Sequence, residues 1–153
     1  MNATVYSVNV NPEGGVPKTP VDSARLHTGG VEGDKQRDLK FHGGPTRAVC
    51  LFSLERIDAL RAEGHPIEAG TTGENLTIGG LDWNNLEAGQ EYAIGDAVIE
   101  LQKPADPCHI IAGSFCDGDS RRIDERQHAG WSRWYASVVV EGLVEVGDSV
   151  VLL

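Results

Sequence analysis

Short apolar runs separated by turn-forming residues make up most of this chain, and only one run holds a helical period. Residues 4–10 roughly alternate and are rich in β-branched side chains, which predicts a strand; residues 21–26 predict a second. Residues 48–52 are continuously apolar and predict a buried strand. Behind them Ser53 can cap a helix over 54–63, where Leu54, Ile57, Ala59 and Leu60 form an apolar stripe and Gly64 ends it. Further strands are predicted at 75–78, at 91–94 and 97–101 around Gly95-Asp96, and at 134–140 and 149–153, joined through Gly142 and Gly147-Asp148. Residues 83–86 read as one helical turn, 107–115 as a short helix opening at Cys108, and 119–128 as a polar, exposed helix. Many short strands with glycine turns and few helices predict a mainly β, closed or partly closed barrel with short peripheral helices, in one domain over 1–153.

Composition narrows the class. Nineteen glycines in 153 residues suit turns rather than a helical bundle. No apolar run reaches the about 20 residues that a membrane helix needs, and the first residues show no basic stretch leading into an apolar leader. Cys50, Cys108 and Cys116 are odd in number and irregularly spaced, which is not a disulfide framework. The expectation is a cytoplasmic protein without a membrane partner.

The formal net charge is -10, which argues against a nucleic-acid polymer as partner, since such binding needs a basic face. The acid is unevenly spread: residues 1–50 carry six Lys/Arg against five Asp/Glu, the remainder seven against eighteen. Between 35 and 47, Lys35, Arg37, Lys40 and Arg47 face only Asp38. A local cationic stretch on an acidic protein suits a small anionic ligand.

Cys108 is the first candidate for chemistry. The run Ala97-Val-Ile-Glu-Leu101 is expected to stop at Pro104 and Pro107, which stiffen the turn carrying the thiol. A thiol so placed suits a nucleophile or metal ligand, favoured as thiolate near a helix start; the competing reading is a small buried hydrophobe. Cys50 lies in an apolar strand and reads as core. The absence of C-x-x-C or His-x-x-x-His spacing predicts no zinc site. Gly33-Asp-Lys-Gln-Arg-Asp-Leu-Lys-Phe-His-Gly-Gly-Pro-Thr-Arg47 combines glycines, which let backbone N–H groups approach a phosphate, with forked or ammonium donors; a solvated basic loop has the same composition. In Gly70-Thr-Thr-Gly-Glu-Asn-Leu-Thr77, Glu74 and Asn75 either read a heterocycle's edge or satisfy a local turn. Trp131-Ser-Arg-Trp-Tyr135 reads as core and rim packing, and Asp22, Ser23 and His27 lack a nucleophile elbow.

In order, Gly33-Asp-Lys-Gln36, His42-Gly-Gly-Pro-Thr-Arg-Ala-Val49, Gly73-Glu-Asn-Leu-Thr77, Gly95-Asp96, Pro107-Cys108, Gly130-Trp131 and Val146-Gly-Asp148 span nearly the whole chain. This ordered set resembles the MOSC domain, named for the C-terminal domain of molybdenum-cofactor sulfurase, and specifically the small stand-alone bacterial members. The resemblance implies a MOSC-type β-barrel related to the pyruvate-kinase barrel. It implies that Cys108 ligates molybdenum or carries sulfur, and that the cofactor is a phosphate-bearing pterin dithiolene. Its candidate contacts are Lys35, Arg37, Lys40, His42, Gly43, Gly44, Arg47, Glu74, Asn75 and Lys103.

The implied function is a molybdenum-dependent oxidoreductase reducing N-hydroxylated compounds, with electrons from a separate donor protein. The alternative is a persulfide carrier or cofactor-delivery module without turnover. No pyridoxal phosphate, flavin or zinc is expected, and a homodimer is compatible with an active site open on one side. One departure stands out. The family often carries Gln-Pro-Arg-x-Pro-Cys, whereas this chain has Lys103-Pro-Ala-Asp-Pro-Cys108, with Ala105 at the arginine position. Lys103 could replace the charge but not the fork.

Overall fold

The computed structural model describes residues 2–35 and 44–153. The elements in chain order are β1 (Ala3–Val10), β2 (Thr19–Val21), β3 (Ser23–His27), β4 (Gly30–Val31), β5 (Val49–Ser53), α1 (Leu54–Ala62), β6 (Leu76–Gly79), β7 (Glu91–Ile94), β8 (Ala97–Ala105), β9 (Arg133–Val140), β10 (Gly142–Glu145) and β11 (Ser149–Leu152). Short 3-10 turns lie at Pro45–Arg47, Trp83–Asn85, His109–Ser114 and Ser120–Ile123.

The architecture is mainly β, as predicted. Strands run in the order β11-β7-β8-β9-β5-β6-β1, and β1 pairs back onto β11, which closes a barrel of seven strands. β2 adds to the free half of β1, and β10, β3 and β4 form a separate three-stranded sheet. Closure removes the exposed edges that would otherwise recruit other chains. β5 and β6 pair in parallel, with α1 in the crossover between them. β5 is buried on both faces, which explains its unbroken apolar run. Val5, Leu26, Leu51, Phe52, Leu76, Ile94, Ile99 and Leu101 fill the core.

α1 starts where the sequence placed it: the Ser53 hydroxyl accepts the Arg56 N–H at 3.2 Å, and Ile57 and Leu60 are buried. Three expectations fail. The region 21–26 is not one strand, because Thr19–Val21 joins the barrel and Ser23–His27 joins β10. β8 does not stop at Pro104, which pairs with Trp134 and is followed by Ala105 opposite Arg133. The pairing with β7 ends at Glu100, so beyond it one side of β8 is an edge where a missing N–H costs little. Residues 119–128 are not an exposed helix: only Ser120–Ile123 forms a 3-10 turn, and Ile123 and Asp124 are buried.

Among the described residues, no helix is long and apolar enough to cross a membrane.

Gly70 fixes how closely the barrel end can pack. It sits at φ +86°, and a Cβ there would overlap the Lys18 carbonyl oxygen, which is backbone and cannot swing away. Gly70→Ala is expected to cost about 2–4 kcal/mol in urea unfolding, from positive-φ strain plus overpacking. An unchanged midpoint would contradict this packing.

Candidate functional site

A continuous buried polar network fills one end of the barrel. Lys18 and Asp34 form an ion pair with side chains 6% and 2% exposed. Asp34 also accepts the Asn75 amide at 2.9 Å and the Asn11 N–H at 2.9 Å. The Asn75 side-chain Oδ1 accepts the Cys50 N–H at 3.0 Å, while the Asn75 backbone N–H donates to the Cys50 carbonyl at 2.8 Å. Asn75 therefore reads the backbone of β5 twice and the Asp34 carboxylate once.

The next member is Glu74, fully buried. Its carboxylate accepts the Thr72 hydroxyl at 2.8 Å and the Thr77 hydroxyl at 2.9 Å. The Asn9 amide donates to Thr77 Oγ1 at 3.1 Å, so the threonine proton is left for Glu74. Burial raises the Glu74 pKa, against the pull of these donors and the Gly70 N–H. Arg133 closes the chain of bonds: Nη1 donates to the Thr72 carbonyl at 2.8 Å and Nη2 to the Asp106 carbonyl at 3.0 Å.

Cys108 lies two residues beyond Asp106, half-buried, at the start of the 3-10 turn His109–Ser114. Its carbonyl is pinned by the Ser120 hydroxyl at 3.1 Å and the Ile111 N–H at 3.2 Å, which leaves the thiol on a fixed loop. The short helix expected from Cys108 is this six-residue 3-10 segment, too short to supply a helix dipole at the sulfur.

Beside it, Cys50, Ala105 and Tyr135 form a small buried cluster apart from the main core. The Arg47 guanidinium lies 5.4 Å from the Tyr135 ring centroid. Burial pushes the Tyr135 phenol up to about 12, and Cys108, Cys50, Arg47 and Arg133 all act on it electrostatically. Burial likewise pushes the Cys50 thiol up to about 11. Cys50 is buried, as its apolar strand implied, but against this site rather than in the central core.

The sequence-derived candidates separate accordingly. Arg47 lies over the Tyr135 ring, Cys108 acts on Tyr135 electrostatically, and Lys103, which is exposed, pairs with Tyr135 across the ladder. Glu74 and Asn75 sit inside the network with protein partners. Lys35 is exposed, with its N–H on the Asn11 carbonyl at 3.0 Å, and Gly44 precedes the turn carrying Arg47 at φ +81°. Arg37, Lys40, His42 and Gly43 lie outside the described residues.

Sequence reasoning missed Lys18, Asp34, Arg133 and the placement of Tyr135. The strand register supplies the only signal for Arg133, which faces Ala105. Trp131, read as rim packing, is clamped between Arg56 at 4.5 Å and Arg122 at 4.1 Å. Elsewhere, a cleft of about 570 Å³ is lined by Tyr6, Pro20, Leu54, Arg61 and Glu68. His65, Cys116 and Asp117 bring ligand-type atoms within 4.8 Å of one another, but His65 Nδ1 already accepts the Cys116 N–H at 3.1 Å.

Comparison with known proteins fits this geometry. The family model described as the MOSC domain matches residues 38–151. The chain belongs to the MOSC domain family. A Bacillus subtilis protein, YflK, is 34% identical over 143 residues, covering 92% of this chain and 64% of that protein. A protein named as a reductase from Gibberella moniliformis is 30% identical over 129 residues, covering 81% of this chain and 22% of its own length. The chain thus spans under two thirds of these relatives. The crystal structure of YiiM from Geobacillus stearothermophilus superposes with a TM-score of 0.78 at 27% identity, covering 99% of this chain and 75% of the other. The MOSC assignment accounts for the closed barrel.

Two outcomes follow. A folded-state pKa above the ordinary carboxyl value means that Glu74 contributes stability below about pH 4.5 and loses it as pH rises through the folded value. Relative to Glu74→Gln, the wild type should therefore become less stable as pH rises above 4.5, read by denaturant unfolding across pH; parallel curves would contradict the burial argument. In native protein at pH 8, maleimide should modify Cys116 and Cys108 but spare Cys50 until unfolding. Mass spectrometry finding Cys50 labelled first would refute its burial.

Proposed function

We propose that this MOSC protein binds the molybdenum cofactor, with the Cys108 thiolate as metal ligand, and reduces N-hydroxylated compounds. The observation that carries the reading is the half-buried Cys108 on a loop that the buried Arg133 holds at the Asp106 carbonyl, with the Arg47 guanidinium 5.4 Å from the Tyr135 ring centroid. The donor set fits. A thiolate is a soft ligand suited to a metal already held by dithiolene sulfur, and Arg133 Nε is a buried donor without a partner among the described residues. When bound, the cofactor supplies two-electron redox chemistry.

The protein's own residues would hold and orient. Cys108 ligates, Arg47 meets an anionic group above Tyr135, and Lys103 adds charge at the rim. Arg37, Lys40 and His42 are the proposed partners of the cofactor phosphate, together with Lys35, Gly43 and Gly44. Glu74 and Asn75 act from behind by fixing β5 and the loop that Arg133 holds. Reduction of an N-hydroxylamine to the amine and water consumes two electrons and two protons, so a separate electron-donor protein is required. The relative named as a reductase supports this class. The second reading, a persulfide carrier or delivery module, draws its support from the linear motif alone, in which Ala105 stands where the family often has arginine.

The test is metal and pterin content after anaerobic purification from a molybdenum-replete host, with Cys108→Ala alongside. Near-stoichiometric molybdenum and pterin in wild type, a loss of at least about tenfold in bound metal in the variant and N-hydroxylamine turnover with a supplied reductant are expected. Cofactor without turnover would leave the carrier reading. Neither metal nor pterin in either folded protein would refute the cofactor reading, and with it the delivery module, and leave thiol chemistry at Cys108 as the persulfide carrier.

A further inference from the structure

Arg133 is the least explained charge in the molecule. Its residue is 5% exposed. Among the described residues its guanidinium donates only to two neutral carbonyls, those of Thr72 and Asp106, and its buried Nε has no hydrogen-bond partner. Among the described residues it forms no ion pair within 4.0 Å of a carboxylate. Burying a guanidinium is costly, and neutral carbonyls do not cancel its field. Lys18 and Asp124 are each matched by an opposite charge, Asp34 and Arg126, and buried Glu74 by hydroxyl donors that its raised pKa accompanies.

Its location gives the charge a use. Arg133 stands directly opposite Ala105 in the β8–β9 ladder, and Ala105 is only 1% exposed. One bond goes to the carbonyl two residues before Cys108 and the other to the loop before Glu74, so the same side chain joins the thiol-bearing loop to the buried network. Its field reaches Cys50 and Tyr135, and Tyr135 also responds to Cys108.

We infer that Arg133, reaching across from β9, is the fixed positive charge of the Cys108 site, a positioning residue that holds the thiol loop and draws an oxyanion-bearing ligand group towards the sulfur. It takes from the neighbouring strand the role that a side chain at position 105 cannot fill here. This rests on Cys108 being the reactive group of the site.

The test compares alkylation of Cys108 by iodoacetate, an anion, and iodoacetamide, which is neutral, at one pH. Both consume the same thiolate, so the rate ratio reports local potential and not thiol ionisation. Rates are read at the Cys108 peptide by mass spectrometry in a Cys116→Ser background. On a chain of net charge -10 the ratio should fall below that of free cysteine unless a cation lies beside the sulfur. The expected wild-type ratio exceeds free cysteine by about three- to tenfold.

Arg133→Gln should abolish the excess, Arg133→Lys should keep part of it, and Ala105→Arg added to Arg133→Gln should restore it. A purely structural role would slow or speed both reagents together. A wild-type ratio at or below free cysteine, or a folded Arg133→Gln with an unchanged ratio, overturns the inference. Should Arg133→Gln not fold, the Arg47→Gln/Lys103→Gln protein decides: survival of the excess supports Arg133, and its loss assigns the charge to the rim. The rates are read on metal-free protein, so a flat ratio there, alongside molybdenum uptake by the same protein from a replete host, fails this inference alone. An intact ratio in protein that takes up no molybdenum fails the cofactor reading alone.

Discussion

The buried ion pair of Lys18 and Asp34 is the constraint on which the functional end of the barrel depends. Two opposite charges removed from water must be matched to each other and to every remaining donor and acceptor, because an unmatched member carries its full desolvation cost. Asp34 meets this condition by also accepting from Asn75 and from the backbone at Asn11. Asn75 is thereby oriented, and an oriented Asn75 holds β5 at Cys50. The polar interior behaves as one unit: each bond sets the angle at which the next residue presents its groups. Loss of one partner would propagate to the loop under Cys108, although none of the first members touches the sulfur.

Much of the fold was legible because it rests on local rules. The Ser53 cap, the Ile57 and Leu60 stripe and the Gly95-Asp96 hairpin need only neighbours within a turn or two. The failures share one cause, which is distance along the chain. Pro104 belongs to a strand because β7 has already ended and β9 supplies the ladder. The buried polar residues are less visible still. Lys18 and Asp34 are 16 residues apart, Asn75 and Asp34 are 41 apart, and Arg133 reaches a carbonyl 61 residues away. A lysine or arginine in sequence is presumed solvated, since burial is tolerated only with partners that tertiary structure brings.

The site was half legible for the same reason. Cys108 announces itself through flanking prolines, and Arg47 through a basic, glycine-rich loop. Glu74 and Asn75 were visible as polar residues at the head of an apolar run, with two meanings that composition could not separate. In the folded chain their polar atoms are occupied by Thr72, Thr77, Cys50 and Asp34, which makes them a scaffold for the surface above. The readable signal was position; the unreadable part was which way each group is satisfied.

The charge distribution gives the Ala105 departure a different weight from the one it has in a linear motif. An acidic chain that must hold an anion cannot rely on its mean field, which repels it, and exposed cations are screened by solvent and salt. A cation buried under the site is screened far less and keeps its direction because it is tied at two carbonyls. Residues 105 and 133 are separated in sequence but adjacent across one ladder rung, so a guanidinium anchored on either strand can serve the same volume. A motif counts positions along a strand, whereas the ligand responds to potential in space. By that criterion the alanine at 105 does not by itself favour a carrier over an enzyme, because the charge it lacks is present on the strand beside it.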